Sequence, residues 1–224
     1  MSLILHLETS TKNCSVSVAE NGELLALTEE YEDGYAHGEK LHQFVQWAME
    51  GANKNLQELD AVCVSKGPGS YTGLRIGVSA AKGFAYALGI PMTAINSLEV
   101  IAAKHAHSNY DYIIPMIDAR RMEVYTAVFD NQLNWISDTT AKVIDENSYA
   151  DYAGKKLLFV GDGAMKTQEF LAHLDADFLA QFPSAEEMCK LAHERFVAKD
   201  FVDVAYFEPF YLKDFVAGKK KTEK

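Results

Sequence analysis

Cysteine is scarce in this chain. Cys14, Cys63 and Cys189 are the 3 in 224 residues, and no two stand in a C-x-x-C spacing. That argues against a disulfide framework and a thiolate zinc site, so all three read as small buried hydrophobes. Positive charge is short as well. Lys and Arg total 21 against 32 Asp and Glu, a formal net charge of −11, whereas proteins that grip nucleic acid by electrostatics draw affinity from cations that neutralise phosphates. If RNA is a substrate, something else holds most of it. No apolar run approaches the length of a membrane span. The N-terminal MSLILHLETS lacks a leading basic stretch and reaches His6 and Glu8 too early for a signal peptide. The expectation is a cytoplasmic protein with no membrane association. Two catalytic signatures are also missing: there is no G-x-x-x-x-G-K-S/T, and Pro68 and Thr72 stand where a G-x-S-x-G turn around Ser70 needs glycines.

What is present is an ordinary globular composition, 48% hydrophobic and 24% charged, with enough length for one large domain or two smaller lobes. The chain is organised around KGPGSYTGLRIG, residues 66–77. Val62, Cys63 and Val64 form a short apolar run ahead of it, as in a buried strand. Gly67, Pro68, Gly69 and Ser70 make the turn, and Ser70 is placed to cap the helix that follows. Small residues then recur at every fourth position, Gly73, Gly77, Ala81, Ala85 and Gly89, leaving one nearly flat helix side. Glycine inside a helix costs about 1 kcal/mol relative to alanine. Close backbone packing is the usual compensation, and phosphate binding at the helix N-terminus is the alternative.

Around this centre, residues 3–7 read as an apolar strand and residues 14–19 alternate Ser and Val as a half-buried strand does. Asn21-Gly22 signals a tight hairpin into a third strand, ELLALTEEY. Leu41, Phe44, Val45, Ala48 and Ala52 fall at helical spacing over residues 37–50. Trp47 stands off that stripe, where a tryptophan is often a partner contact. PMTAIN closes this half as a last strand. A second start, IIPMIDARRMEVYTAVFD, echoes the N-terminal pattern of strand, polar turn and strand. LLFVGDG follows as strand and turn, Ser184 with Glu187 makes a capping box, and AGKKKTEK reads as a frayed tail.

GPGSYTGLRIG resembles the signature of the TsaB (YeaZ) family. LETST at residues 7–11, AHGEKL at 36–41, IDARRMEVYTA at 117–127 and EPFYLK at 208–213 fall in the order and spacing that family shows. The resemblance implies an α/β chain of the actin-like ATPase fold (ASKHA, shared with sugar kinases), two lobes with mixed sheets. The lobes are expected at 1–102 and 103–224, with the C-terminal segment free to return to the first. The resemblance further implies a non-catalytic dimerisation subunit in the making of tRNA threonylcarbamoyladenosine. It would pair with a TsaD-type catalytic subunit, work with a TsaE-type ATPase and meet tRNA only through the complex. The alternative is a stand-alone metal-dependent hydrolase, glycoprotease-like, or an ATPase.

The family-motif residues are Glu8, Thr9, His37, Gly67, Gly69, Ser70, Asp118 and Arg120. In an actin-like ATPase the LETST position holds a short acid and a small residue beside the phosphates. Here Glu8 is longer and Ser10 stands for the glycine, so the loop reads as structural. In VGDGAMKT, residues 160–167, Lys166 replaces the third glycine of a dinucleotide turn. A catalytic relative in the superfamily binds metal through a pattern resembling N-H-L-E-G-H. NSLEVI, at 96–101, puts Ser97 and Ile101 at the two ligand positions, and neither supplies an imidazole. No metal or cofactor is expected. His105 and His107 read as surface residues, and His37 as a structural histidine at the start of the first helix. Asp118, Arg120, Arg121 and Glu123 read either as a turn held by salt bridges across the hairpin or as an arginine contact to phosphate. The partner surface is expected on the two helices side by side, from Leu41, Val45, Trp47, Met49, Gly73, Gly77 and Ala81, with a homodimer competing for it.

Overall fold

The computed structural model describes residues 1–31 and 37–213. Ala36 of the AHGEKL stretch and the AGKKKTEK tail lie outside the described residues.

The first sheet is built from β1 (Leu3–Glu8), β2 (Asn13–Glu20), β3 (Glu23–Tyr31), β4 (Ala61–Gly67) and β5 (Met92–Asn96), in the order β3-β2-β1-β4-β5. β1, β2 and β3 are antiparallel neighbours, and β4 and β5 add on in parallel. Asn21 and Gly22 both take positive φ, 54° and 84°, which gives the hairpin turn its twist-compatible form. The second sheet repeats the plan with β6 (Tyr112–Asp118), β7 (Glu123–Asp130), β8 (Trp135–Val143), β9 (Leu157–Val160) and β10 (Ala176–Leu179), in the order β10-β9-β6-β7-β8. Each sheet thus has three antiparallel strands and two parallel additions around its first strand. Two mixed sheets of this kind make the α/β actin-like ATPase fold.

Helices α1 (His37–Gly51) and α2 (Tyr71–Leu88) cover one face of the first sheet. Leu41, Phe44, Val45 and Ala48 enter a core with Leu5, Leu7, Val16, Val62 and Val64. His42 lies against Phe84, and a Cβ on Gly38 would lie 3.8 Å from Ile76, so the two helices sit side by side, running in the same sense. Ser70 caps α2 by accepting the Gly73 N–H. α3 (Ser97–Ala103) joins the sheets, burying Leu98, Ile101 and Ala102 among Ile113, Ile117 and Phe129. α4 (Gln168–Leu171) is a single short turn beyond β9. α5 (Met188–Ala198) follows the second sheet in sequence but packs on the first, where Met188, Leu191 and Ala192 meet Ile4, Cys63 and Ile95. Among the described residues no helix is long and apolar enough to cross a membrane. All three cysteines are free and buried.

Three expectations are corrected by this packing. β2 is buried on both faces rather than one, because the segment entering α5 covers its serines: Ser17 Oγ donates to the Ala185 carbonyl at 2.7 Å, and Ser15 Oγ accepts the Ala185 N–H at 2.9 Å. Ser184 makes no capping box. Its hydroxyl donates to Glu29 at 2.6 Å, and the helix begins only at Met188. The flat side of α2 is not offered to a partner. Gly73, Gly77 and Ala81 are buried, and a Cβ on Gly73 or Gly77 would come within 2.1 and 2.2 Å of atoms of Thr9. Leu41, Val45 and Met49 are core as well, so of the expected partner row only Trp47, 46% exposed, stands free at the surface.

Candidate functional site

The motif loops meet at the C-terminal ends of β1 and β4. The Ser70 N–H donates to the Ser10 carbonyl at 2.6 Å, and a Cβ on Gly69 would lie 2.2 Å from that oxygen. Thr9 Oγ1 donates to the Gly73 carbonyl at 2.8 Å. His37 opens α1 with Nε2 donating to the Thr11 carbonyl at 2.7 Å. Burial holds its pKa below the usual histidine range. LETST is therefore bonded to GPGS and α1 along its length, which is why both loops carry small and hydroxylated residues.

Glu8 is fully buried at the end of β1, with Oε1 accepting the Ser10 N–H at 2.6 Å and Oε2 without a partner among the described residues. Burial pushes its pKa up to about 7. These residues do not fit the nucleotide and metal of an actin-like ATPase. The carboxylate is turned onto its own loop, Ser10 fills the space of the expected glycine, and Gly69 closes on Ser10. Ser97 and Ile101 are both buried, Ile101 within the core between the sheets. His105 is partly exposed and hydrogen-bonded to Gln181, and His107 is exposed.

A cleft of about 480 Å³ separates these loops from the β6–β7 turn, with Ser10, Gly69 and Thr72 on one wall and Asp118, Arg120 and Asp162 on the other. Asp162 accepts the Asp118 N–H at 2.9 Å, and burial raises its pKa. Lys166 donates to Asp118 Oδ1 and to the carbonyls of Arg121 and Glu123, at 2.8 and 2.7 Å to the carbonyls. The C-terminal strand-like segment closes the cleft. Val202 bridges to Met92, Lys82 donates to the carbonyls of Ala205 and Phe207, and the Phe210 N–H donates to the Lys66 carbonyl at 2.7 Å. Tyr211 packs on Tyr71 with ring centroids 5.0 Å apart, and Lys213 reaches across to Glu123 on the second sheet. EPFYLK is thus a strap from one lobe to the other. Sequence reasoning saw the motif but not the strap, because nothing local says that residues 208–213 lie over residues 66–75.

The expectation that salt bridges across the hairpin hold the Asp118–Glu123 turn is corrected in part. Asp118 does hold the turn, accepting the Arg120 N–H at 2.8 Å. The cations paired with Asp118 and Glu123 are Lys166 and Lys213, which come from outside the hairpin.

A second surface lies on the helix pair. A shallow groove there is floored by Val45, Met49, Leu56 and Phe84; outside the groove lining, Trp47 stacks on Phe44 with ring centroids 5.6 Å apart.

Residues 33–221 match the family model described as TsaD, tRNA N6-adenosine threonylcarbamoyltransferase. Over 97% of both chains this protein is 29% identical to the tRNA threonylcarbamoyladenosine biosynthesis protein TsaB of Escherichia coli K12. It is 31% identical to the protein of the same name from Buchnera aphidicola, over 73% of this chain and 80% of that one. The chain belongs to the TsaB family. Among solved structures, YeaZ from Pseudomonas aeruginosa superposes with a TM-score of 0.82 at 25% identity, covering 95% of this chain and all of that one. The motif residues Thr9, Ser10, Gly69, Ser70 and Gly73 are therefore the ones that join β1, β4 and α2 in this TsaB-family chain.

Proposed function

We propose that this chain is the non-catalytic subunit of a tRNA threonylcarbamoyladenosine transferase assembly. It binds and supports a TsaD-type catalytic subunit, which holds the metal and carries out transfer to tRNA, and a TsaE-type ATPase joins the larger complex. The reading is carried by Glu8. A carboxylate that is buried and bonded to its own loop is not presented to a phosphate or a metal. Ser97 and Ile101 supply no imidazole, which counts equally against a stand-alone hydrolase. The family model and the names of the curated relatives support the pathway.

The catalytic subunit docks on the exposed side of α1, with Phe84 and the edges of Val45 and Met49 flooring the groove and Trp47, exposed on α1 outside the groove lining, as a separate aromatic anchor. Aromatic anchors of this kind carry most of an interface's energy. A second copy of this chain competes for the same patch, since two-fold pairing needs only self-complementarity. The test is co-purification with the cognate TsaD-type subunit, then threonylcarbamoyl transfer to tRNA with and without this chain. Transfer that depends on both chains is expected, and transfer by this chain alone would overturn the reading.

A further inference from the structure

The turn between β6 and β7 is built in an unfavourable way. Arg120 and Arg121 take φ of 71° and 49° in succession. Left-handed backbone is disfavoured for residues with a Cβ, and an Asn-Gly pair is the economical solution. The same chain uses that solution at Asn21-Gly22, also with positive φ at both positions. Strained positions that persist point to use rather than to folding.

The side chains bear this out. Asp118 and Glu123 flank the turn, yet they are taken by Lys166 and Lys213. Arg120 and Arg121 are both exposed, and neither guanidinium has a partner among the described residues. A chain of net charge −11 thus holds two uncommitted planar cations on one turn, with Arg120 lining the cleft. Across the same mouth Tyr71 and Tyr211 pack together, with the Arg75 guanidinium 4.1 Å above the Tyr71 ring.

We propose that the Arg120–Arg121 turn is a direct contact to RNA phosphates, with the Tyr71–Tyr211 pair beside it as a platform for an unstacked base. Guanidinium matches phosphate in a planar, bidentate way, and aromatic faces next to arginine are how single-stranded RNA is held. This rests on the reading above only in that tRNA is the substrate of the assembly, and it assigns to this chain a share of RNA binding that its net charge conceals.

The experiment replaces the turn with the chain's own alternative, R120N together with R121G. Binding of unmodified tRNA is measured against salt, for the isolated chain at low ionic strength and for the chain paired with the TsaD-type subunit. The variant should melt no lower than the parent and pair with its partner equally well. Its RNA affinity should fall about tenfold, and the slope of log affinity against log salt should shrink by about 1.5, as for two lost phosphate contacts. Parental affinity and slope in the variant, or no RNA binding by the parent in either format, would overturn the proposal. So would loss of the ATPase subunit at unchanged RNA affinity, which would assign the turn to an acidic protein face. Failure of the parent to pair with the TsaD-type subunit counts against the proposed function alone, because the isolated-chain arm still decides this contact.

Discussion

Thr9 Oγ1 donates to the Gly73 carbonyl at 2.8 Å, and one turn further along α2 a Cβ on Gly77 would lie 2.2 Å from that same hydroxyl oxygen. One side chain therefore sets the distance between loop and helix, and three glycines of α2 should respond differently to alanine. Gly77→Ala should destabilise by about 1 to 3 kcal/mol through overpacking, and Thr9→Ala in the same chain should recover part of that. Gly73→Ala should be no better tolerated and should not be rescued, because its obstacle at 2.1 Å is the Thr9 carbonyl, which is backbone. A Cβ on Gly83 would meet no atom beyond its own helix backbone within 4 Å among the described residues, so Gly83→Ala should stabilise by roughly 0.5 to 1 kcal/mol from helix propensity. Urea unfolding of the set measures all three. A Gly77→Ala protein as stable as the parent would mean that the helix does not rest on Thr9.

Two buried groups on β1 titrate in opposite senses. Glu8 has a folded pKa raised to about 7 by burial, so its contribution is present below the ordinary carboxylate pKa near 4.5 and is lost as pH rises to 7. His6, buried and bonded to Ser17, is lowered to about 4 by burial, so its contribution is present above 6.5 and lost as pH falls to 4. Between about pH 4.5 and 6.5 the two slopes cancel. Glu8→Gln should remove one of them. The variant should gain on the parent as pH rises, by up to about 3 kcal/mol at pH 7.5, and should show acid destabilisation that the parent hides. Thermal melts from pH 4.5 to 7.5 test this, and parallel curves for the two proteins would rule it out.

Trp47 and Leu41 separate surface from core on one helix. Leu41 is fully buried, so Leu41→Ala should cost about 2 to 5 kcal/mol of stability. Trp47→Ala should cost clearly less, about 1 kcal/mol, because nearly half of the residue is in solvent and the rest stacks on Phe44. It should also weaken pairing with the TsaD-type subunit by at least about 2 kcal/mol. Calorimetric titration of the two chains measures the second effect, and undiminished pairing would move the docking site elsewhere.

How much of this was legible follows from the range of each interaction. The NG hairpin, the Ser70 cap and the stripe of α1 depend on residues within a turn of each other, and the sequence shows them directly. The small-residue side of α2 was visible too, but spacing shows only that a helix side is flat, not what lies against it. Thr9 lies there, from 64 residues away. Ser15 and Ser17 alternate with valines as in a strand that is half in water, and only the return of residues 184–185 to them buries that face. At the cleft, Asp118 and the arginines were recognisable as a cluster, whereas Lys166 and Lys213 had no local sign that they would claim its acids.

Glu99 and Arg195 carry the last prediction, because they hold the returning helix in place. Arg195 Nη2 donates to both Glu99 oxygens at 3.0 and 2.7 Å, from α5 to α3. Glu99 is only 8% exposed. Removing the guanidinium alone leaves a buried carboxylate without its counter-charge, which costs about 3 to 5 kcal/mol, whereas replacing a buried pair by apolar residues of similar size is often neutral. Arg195→Met should therefore be strongly destabilising, and Glu99→Leu combined with Arg195→Met should be much less so. The damage should also be local at first. Amides of β2 are sheltered by the segment that leads into α5, so their hydrogen exchange should rise more in Arg195→Met than that of β6, on the second sheet. Equal stability of the single and double variants would show that desolvated charge is not what the pair controls, and unchanged exchange in β2 would show that α5 does not depend on it.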